Sequence, residues 1–188
     1  MADTRVPAAG TAQNAAPTGP DEFAQRVDQA ETDRDRAQCL VDINAALASA
    51  EGAAARARLL VTRAMLYARW WKSREAVDDA VFAASLFDQA GDVSASLEAA
   101  SLAASYAART GQLSLATDLA TKCWSAAVPL DDASAGRVAH RLGIFCQELF
   151  DNDRAAAQFS ASLAAFERVG YPPHVFIALY NVASALLG

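Results

Sequence analysis

The residues that could do chemistry are few in this chain, and their spacing keeps them apart. Catalysis needs a nucleophile, a base and an orienting group, or a set of metal ligands, brought to one place. The two histidines, His140 and His174, fit no zinc spacing, and a lone histidine on a helix reads as a surface residue. Cys39, Cys123 and Cys146 are an odd set without paired spacing, each in an apolar helical context. They read as small core side chains, a usage that suits a reducing cytoplasm. Asp151-Asn152-Asp153 supplies acids of the calcium-loop kind but lacks the loop's glycine and distal glutamate, so it reads as an interhelix turn with a cap. Asp78-Asp79 reads as a solvated face, and no glycine-rich loop is present to cradle phosphate. The expectation is a chain with no catalytic residue, no cofactor and no metal site in this region.

The distribution of charge is more informative. From Arg56 to Lys72 the sequence carries Arg56, Arg58, Arg63, Arg69 and Lys72 without one acid. The following stretch carries Glu75, Asp78, Asp79 and Asp88 against Arg74. The net charge is −6, which argues against nucleic-acid binding, because phosphate neutralisation needs a surplus of Lys and Arg.

These residues must be positioned by helices. A quarter of the 188 residues are alanine, which favours helix and lets helices approach closely, and no sustained apolar–polar alternation marks a strand. Residues 1–20 lack the apolar core of a signal peptide and read as a disordered lead. From Asp21 onward, segments of about seventeen residues alternate with turn signals, at 31–33, 51–52, 72–73, 90–92, 110–111, 129–132, 151–153 and 170–173. Gly91, Gly111 and Gly170 can end helices in the left-handed conformation, and Ser73, Asp92, Asp132 and Asp153 can cap the next ones. That predicts nine helices, four antiparallel pairs and one unpaired helix at the C-terminal end. No segment is long enough to span a bilayer.

The pairs repeat. Small residues recur at Ala64, Ala104, Gly143 and Ala183, and again at Ala76, Ala116 and Ala155, with a shared period of about 40. Glycine inside a helix costs about 1 kcal/mol relative to alanine, so Gly143 implies close backbone packing. The best copy, LGIFCQELFDNDRAAAQFSASLAAFERVGYPP, runs from Leu142 to Pro173. Its small residues at Gly143 and Ala155, the aromatic Phe159 and the closing proline resemble the tetratricopeptide-repeat family. The resemblance covers about Asp21 to Gly188, and the long period is similar to the arrays of bacterial signalling proteins.

That resemblance implies an all-α, right-handed superhelical solenoid of about four and a half repeats. First helices would line a concave groove and second helices the convex back. Carried over by register, the groove residues are Arg58, Thr62, Met65 and Arg69; then Glu98, Ser101, Leu102, Ser105 and Arg109; then Arg137, His140, Arg141, Ile144 and Gln147; and last Tyr180, Asn181 and Ser184. A mildly basic, polar groove on an acidic protein suits an acidic peptide or an anionic protein segment, since arginine makes bidentate contact with carboxylates. The alternative is that these arginines form ordinary solvated ion pairs. The family's carboxylate clamp of lysine and asparagine on successive first helices is not matched.

Two further surfaces stand out. Adjacent tryptophans on a helix point about 100° apart, so either Trp70 and Trp71 both cover the helix junction, or one packs between repeats and Trp71 stands at an interface. The last segment, HVFIALYNVASALLG, is a first helix without a second, and its stripe of Phe176, Leu179, Val182 and Leu186 calls for a partner, a second copy, or further chain. The resemblance implies a sensory input module of a cytoplasmic bacterial signalling protein, of the kind found ahead of diguanylate cyclase or transcription-regulator domains and acting through dimerisation. A stand-alone adaptor and a peptide or small-molecule sensor are the alternatives.

Overall fold

The computed structural model describes residues 20–70, 73–126, 129–170 and 172–187. Within them the chain is all-helical. Helix α1 spans Pro20–Gln29, α2 Asp33–Ser49, α3 Ala53–Arg69, α4 Ser73–Gln89, α5 Val93–Arg109, α6 Leu113–Ser125, α7 Asp132–Glu148, α8 Asn152–Val169 and α9 Pro172–Leu187. Most break within a residue or two of a predicted turn, while α3 and α7 end three residues before the turns at 72–73 and 151–153, and α6 four before that at 129–132. The expected lead, residues 1–19 of it, lies outside the described residues.

Local chemistry sets these boundaries. Thr32 closes a capping box with Asp35 at the start of α2, which satisfies two backbone donors that the first turn leaves without partners. Asp92, Asp131 and Asp151 each accept a backbone N–H three residues on, starting α5, α7 and α8. The caps of α7 and α8 therefore come one and two residues earlier than Asp132 and Asp153, which sit inside the first turn. Gly91 and Gly111 take φ of 73° and 74° in the turns between helices, a region open to glycine at little cost. Phe150 takes φ 58° at the equivalent turn and is 92% exposed.

The helices stack as antiparallel hairpins, α3 with α4, α5 with α6 and α7 with α8, with α4 on α5 and α8 on α9 joining successive pairs. Helix α5 also packs directly on α7. This is a helical repeat stack. No described helix is long and apolar enough to cross a membrane.

The predicted small positions are where the hairpins close. Ala64, Ala104, Ala76, Ala116 and Ala155 have no exposed surface. A Cβ at Gly143 would lie 2.5 Å from the Phe159 ring, so the ring of the second helix rests on the bare backbone of the first. Gly136 and Phe166 repeat this contact two turns earlier, with 2.7 Å to the nearest ring atom. Ala183, the equivalent of Gly143 on α9, is exposed because no described helix packs there. The three cysteines are buried, as their apolar context predicts, and burial pushes the Cys123 and Cys146 thiols up to about 11.

Candidate functional site: the inner face of the odd-numbered helices

A cavity of about 350 Å³ opens between four odd-numbered helices. Asp21 and Ala24 come from α1, Arg58, Val61, Thr62 and Met65 from α3, Ala95 and Glu98 from α5, and Arg137 and Arg141 from α7, with Phe87 of α4 behind them. A second cavity of about 260 Å³ is lined by Met65, Arg137, His140, Arg141, Phe166, His174 and Ile177. Met65 of α3 and Ile177 of α9 thus face the same space, so the surface formed by the odd-numbered helices is concave.

The centre of the site is a three-residue charge cluster. Arg137 donates from Nε to Glu98 Oε2 at 2.7 Å and from Nη2 to Oε1 at 2.8 Å. Arg141 donates from Nη1 to the Glu98 carbonyl oxygen at 2.8 Å but lies 3.9 Å from the carboxylate. Only 16% of the Arg141 side chain is exposed. Burial pulls its guanidinium below its ordinary value, against the opposing charge of Glu98. Burial alone would raise the Glu98 carboxyl, but hydrogen bonds from Arg137 and Ser134 and the two arginine charges hold it below the usual range.

One repeat spacing explains the column. Arg58, Glu98 and Arg137 follow one another at intervals of 40 and 39, so they occupy equivalent places on successive first helices. Arg58 is exposed at the rim, and among the described residues no acid pairs with it. Thr62 is buried, its hydroxyl donating to the Arg58 carbonyl.

His140 departs from the expected surface residue. Burial, then the charges of Arg141 and His174, push its imidazole from 6.5 down to about 4, so it is neutral at pH 7. Its Nδ1 is buried with no hydrogen-bond partner, and its ring stands 5.7 Å from that of Phe159. His174 stacks on Phe166 with centroids 4.6 Å apart.

Of the seventeen expected groove residues, Arg58, Thr62, Met65, Glu98, Arg137, His140 and Arg141 line the two cavities. The others are placed elsewhere. Arg69 donates to the Val27 and Asp28 carbonyls and to the Asp28 carboxylate, capping the C-terminal end of α1. Arg109 lies 3.7 Å from Glu148. Ser101 and Ser105 are buried, their hydroxyls turned back to the carbonyls of Glu98 and Leu102. Helix α5 is surrounded by α4, α6 and α7, which leaves these serines no open face. Tyr180 is 67% exposed and Asn181 half-buried, and neither lines either of these two cavities.

On the last helix Phe176, Leu179 and Leu186 are 71%, 50% and 71% exposed, whereas Val182 packs against the core. Trp71 lies outside the described residues; Trp70 donates its indole N–H to Asp33. Asp79 corrects the expectation of a solvated acidic pair, since it is 8% exposed and bound to Arg63, while Asp78 is exposed. Sequence reasoning passed over Phe166 and Ile177, which reach the second cavity from α8 and α9. The interval of 39 between Glu98 and Arg137 was a signal that could have identified their pairing.

Among the described residues no group of three or more His, Cys, Asp or Glu side chains could hold a metal ion. No protein-family model matches the chain, and a search of curated proteins finds no match.

Proposed function

We propose that this chain is a protein-interaction module of the tetratricopeptide-repeat type, whose concave face holds an extended segment of another protein. The observation that carries this reading is the cavity shared by α1, α3, α5 and α7, where an exposed Arg58 and a nearly buried Arg141 stand on one surface. Side chains from four successive first helices converge there, an arrangement suited to a strand of peptide laid across them. The long helical repeats support the narrower reading of a regulatory input module of a cytoplasmic signalling protein, such as one ahead of a diguanylate cyclase domain.

The test is selection of a random displayed peptide library on the purified chain, with hydrogen exchange used to locate the winners. Protection is expected along α3, α5 and α7. Failure to obtain specific binders, or protection confined to α4, α6 and α8, overturns the groove.

A second reading, pairing of two copies through α9, is favoured by the exposed Ala183 and by a helix that carries no acidic or basic residue apart from His174. Two such faces can meet without like-charge repulsion. Light scattering tests it: the reading requires a dimer mass that Phe176→Asp with Leu186→Asp returns to the monomer, and a monomeric parent chain refutes it.

A further inference from the structure

The two cavities are one continuous surface, because Met65, Arg137 and Arg141 line both. Their chemistry differs. The first holds three arginines, Arg58, Arg137 and Arg141, against two carboxylates, Asp21 and Glu98, a surplus of one positive charge. The second is walled by Met65, Phe166, His174 and Ile177, with Ile177 45% exposed.

The surplus has a definite place. Both oxygens of Glu98 are taken up by the bidentate contact to Arg137, so Arg141 meets that carboxylate only at 3.9 Å. A guanidinium stays protonated in a protein, and a mostly buried one without close anionic contact is electrostatically incomplete. We infer that this stretch of the groove is a two-part subsite, taking one carboxylate of an extended polypeptide against Arg141 and an adjacent large apolar side chain in the Met65–Phe166–Ile177 cavity.

The inference rests on the groove reading and narrows it. A monoanion matches a surplus of one charge. A phosphate dianion would exceed it and stand against Glu98. Beyond the shared Arg137 and Arg141, the neighbouring cavity adds no positive charge near pH 7, because burial lowers both His140 and His174. Away from the two arginines its walls are Met65, Phe166 and Ile177, which gain by excluding water around an aliphatic or aromatic side chain.

Fluorescence anisotropy with short, end-blocked peptides carrying Glu two residues before Leu is the direct test. Replacing Glu by Gln is expected to weaken binding about tenfold or more, the worth of one charge-assisted contact. Replacing Leu by Ala is expected to weaken it by about the same factor. A Gln peptide with a free C-terminal carboxylate after Leu distinguishes a chain terminus from a side chain as the source of the anion, and recovery of affinity in that arm assigns the terminus.

In the protein, Ile177→Ala should weaken the Glu–Leu peptide and change the Glu–Ala peptide by less. Glu98→Gln should tighten the Glu peptide, an outcome that a purely structural Glu98 does not give. Equal binding of the blocked Gln and Glu peptides, tighter binding of a phosphoserine peptide, weaker binding by Glu98→Gln, or no saturation by about 1 mM overturns the subsite. If selected peptides protect α3, α5 and α7 but carry no carboxylate, the subsite falls and the groove stands.

Discussion

Arg63 and Arg137 each grip a carboxylate with two short hydrogen bonds, yet their surroundings differ. Arg63 on α3 meets Asp79 on α4 at 2.7 and 2.8 Å, gives a third hydrogen bond to Asn44 at 2.6 Å, and lies over the Tyr67 ring. One cation faces one anion, and each guanidinium nitrogen of Arg63 has an acceptor. Arg137 on α7 binds Glu98 on α5 with the same geometry, but Arg141 stands one turn further on the same helix without an anion of its own. The first pair ties a hairpin together. The second leaves a charge over, and it does so on the concave face.

Removing the anion therefore has different consequences at the two places. Asp79→Ala strands Arg63 in a mostly buried position, and urea unfolding should show a loss of about 3 kcal/mol. Added acetate should not restore it, because the Asp79 position is only 8% exposed. Glu98→Ala strands two guanidiniums beside an open cavity, so the loss should be smaller, about 1–2 kcal/mol, after allowance for solvent. Acetate at constant ionic strength should recover part of it.

Between these in size is a pH effect that reports on Arg141. His140 titrates at 6.5 when unperturbed and at about 4 in the folded chain. As the pH falls through that window the unfolded chain binds a proton that the folded chain refuses, so stability decreases toward about pH 4. The expected loss is on the order of 2–3 kcal/mol, and the lowered His174 acts in the same sense. His140→Gln should flatten most of this slope in urea unfolding curves. Arg141→Met should raise the His140 value seen by NMR, because one of its causes is then gone. Smallest of all is Arg58→Ala, at under about 0.5 kcal/mol, since the side chain is exposed and unpaired among the described residues. Peptide affinity, by contrast, should fall.

Much of the fold was legible because its signals are local or periodic. Turn residues gave the helix boundaries, and the small residues at Ala64, Ala104 and Gly143 marked where second helices pack. Gly143 was interpretable alone, since only a close neighbour such as the Phe159 ring repays glycine inside a helix. The site was legible in part. Register placed Arg58, Met65, Arg137 and Arg141 on one face, and they do meet. Register does not tell how far one helix is enclosed by others, so Ser101 and Ser105 were assigned to a surface that α4, α6 and α7 cover. Nor does it resolve which arginines are matched: Arg63 and Arg69 are consumed by Asp79 and by the end of α1, partners 16 and about 40 residues away in sequence. The second cavity needs Phe166 of α8, a second helix that a rule limited to first helices omits.

The central claim is that Arg141, unlike Arg63, has an unmet need for an anion. Guanidinium NMR during titration with the end-blocked Glu–Leu peptide at constant ionic strength tests it most directly. The account predicts saturable shifts at Arg141 and Arg58 while Arg63 stays still; equal shifts at Arg63, or a silent Arg141, would contradict it.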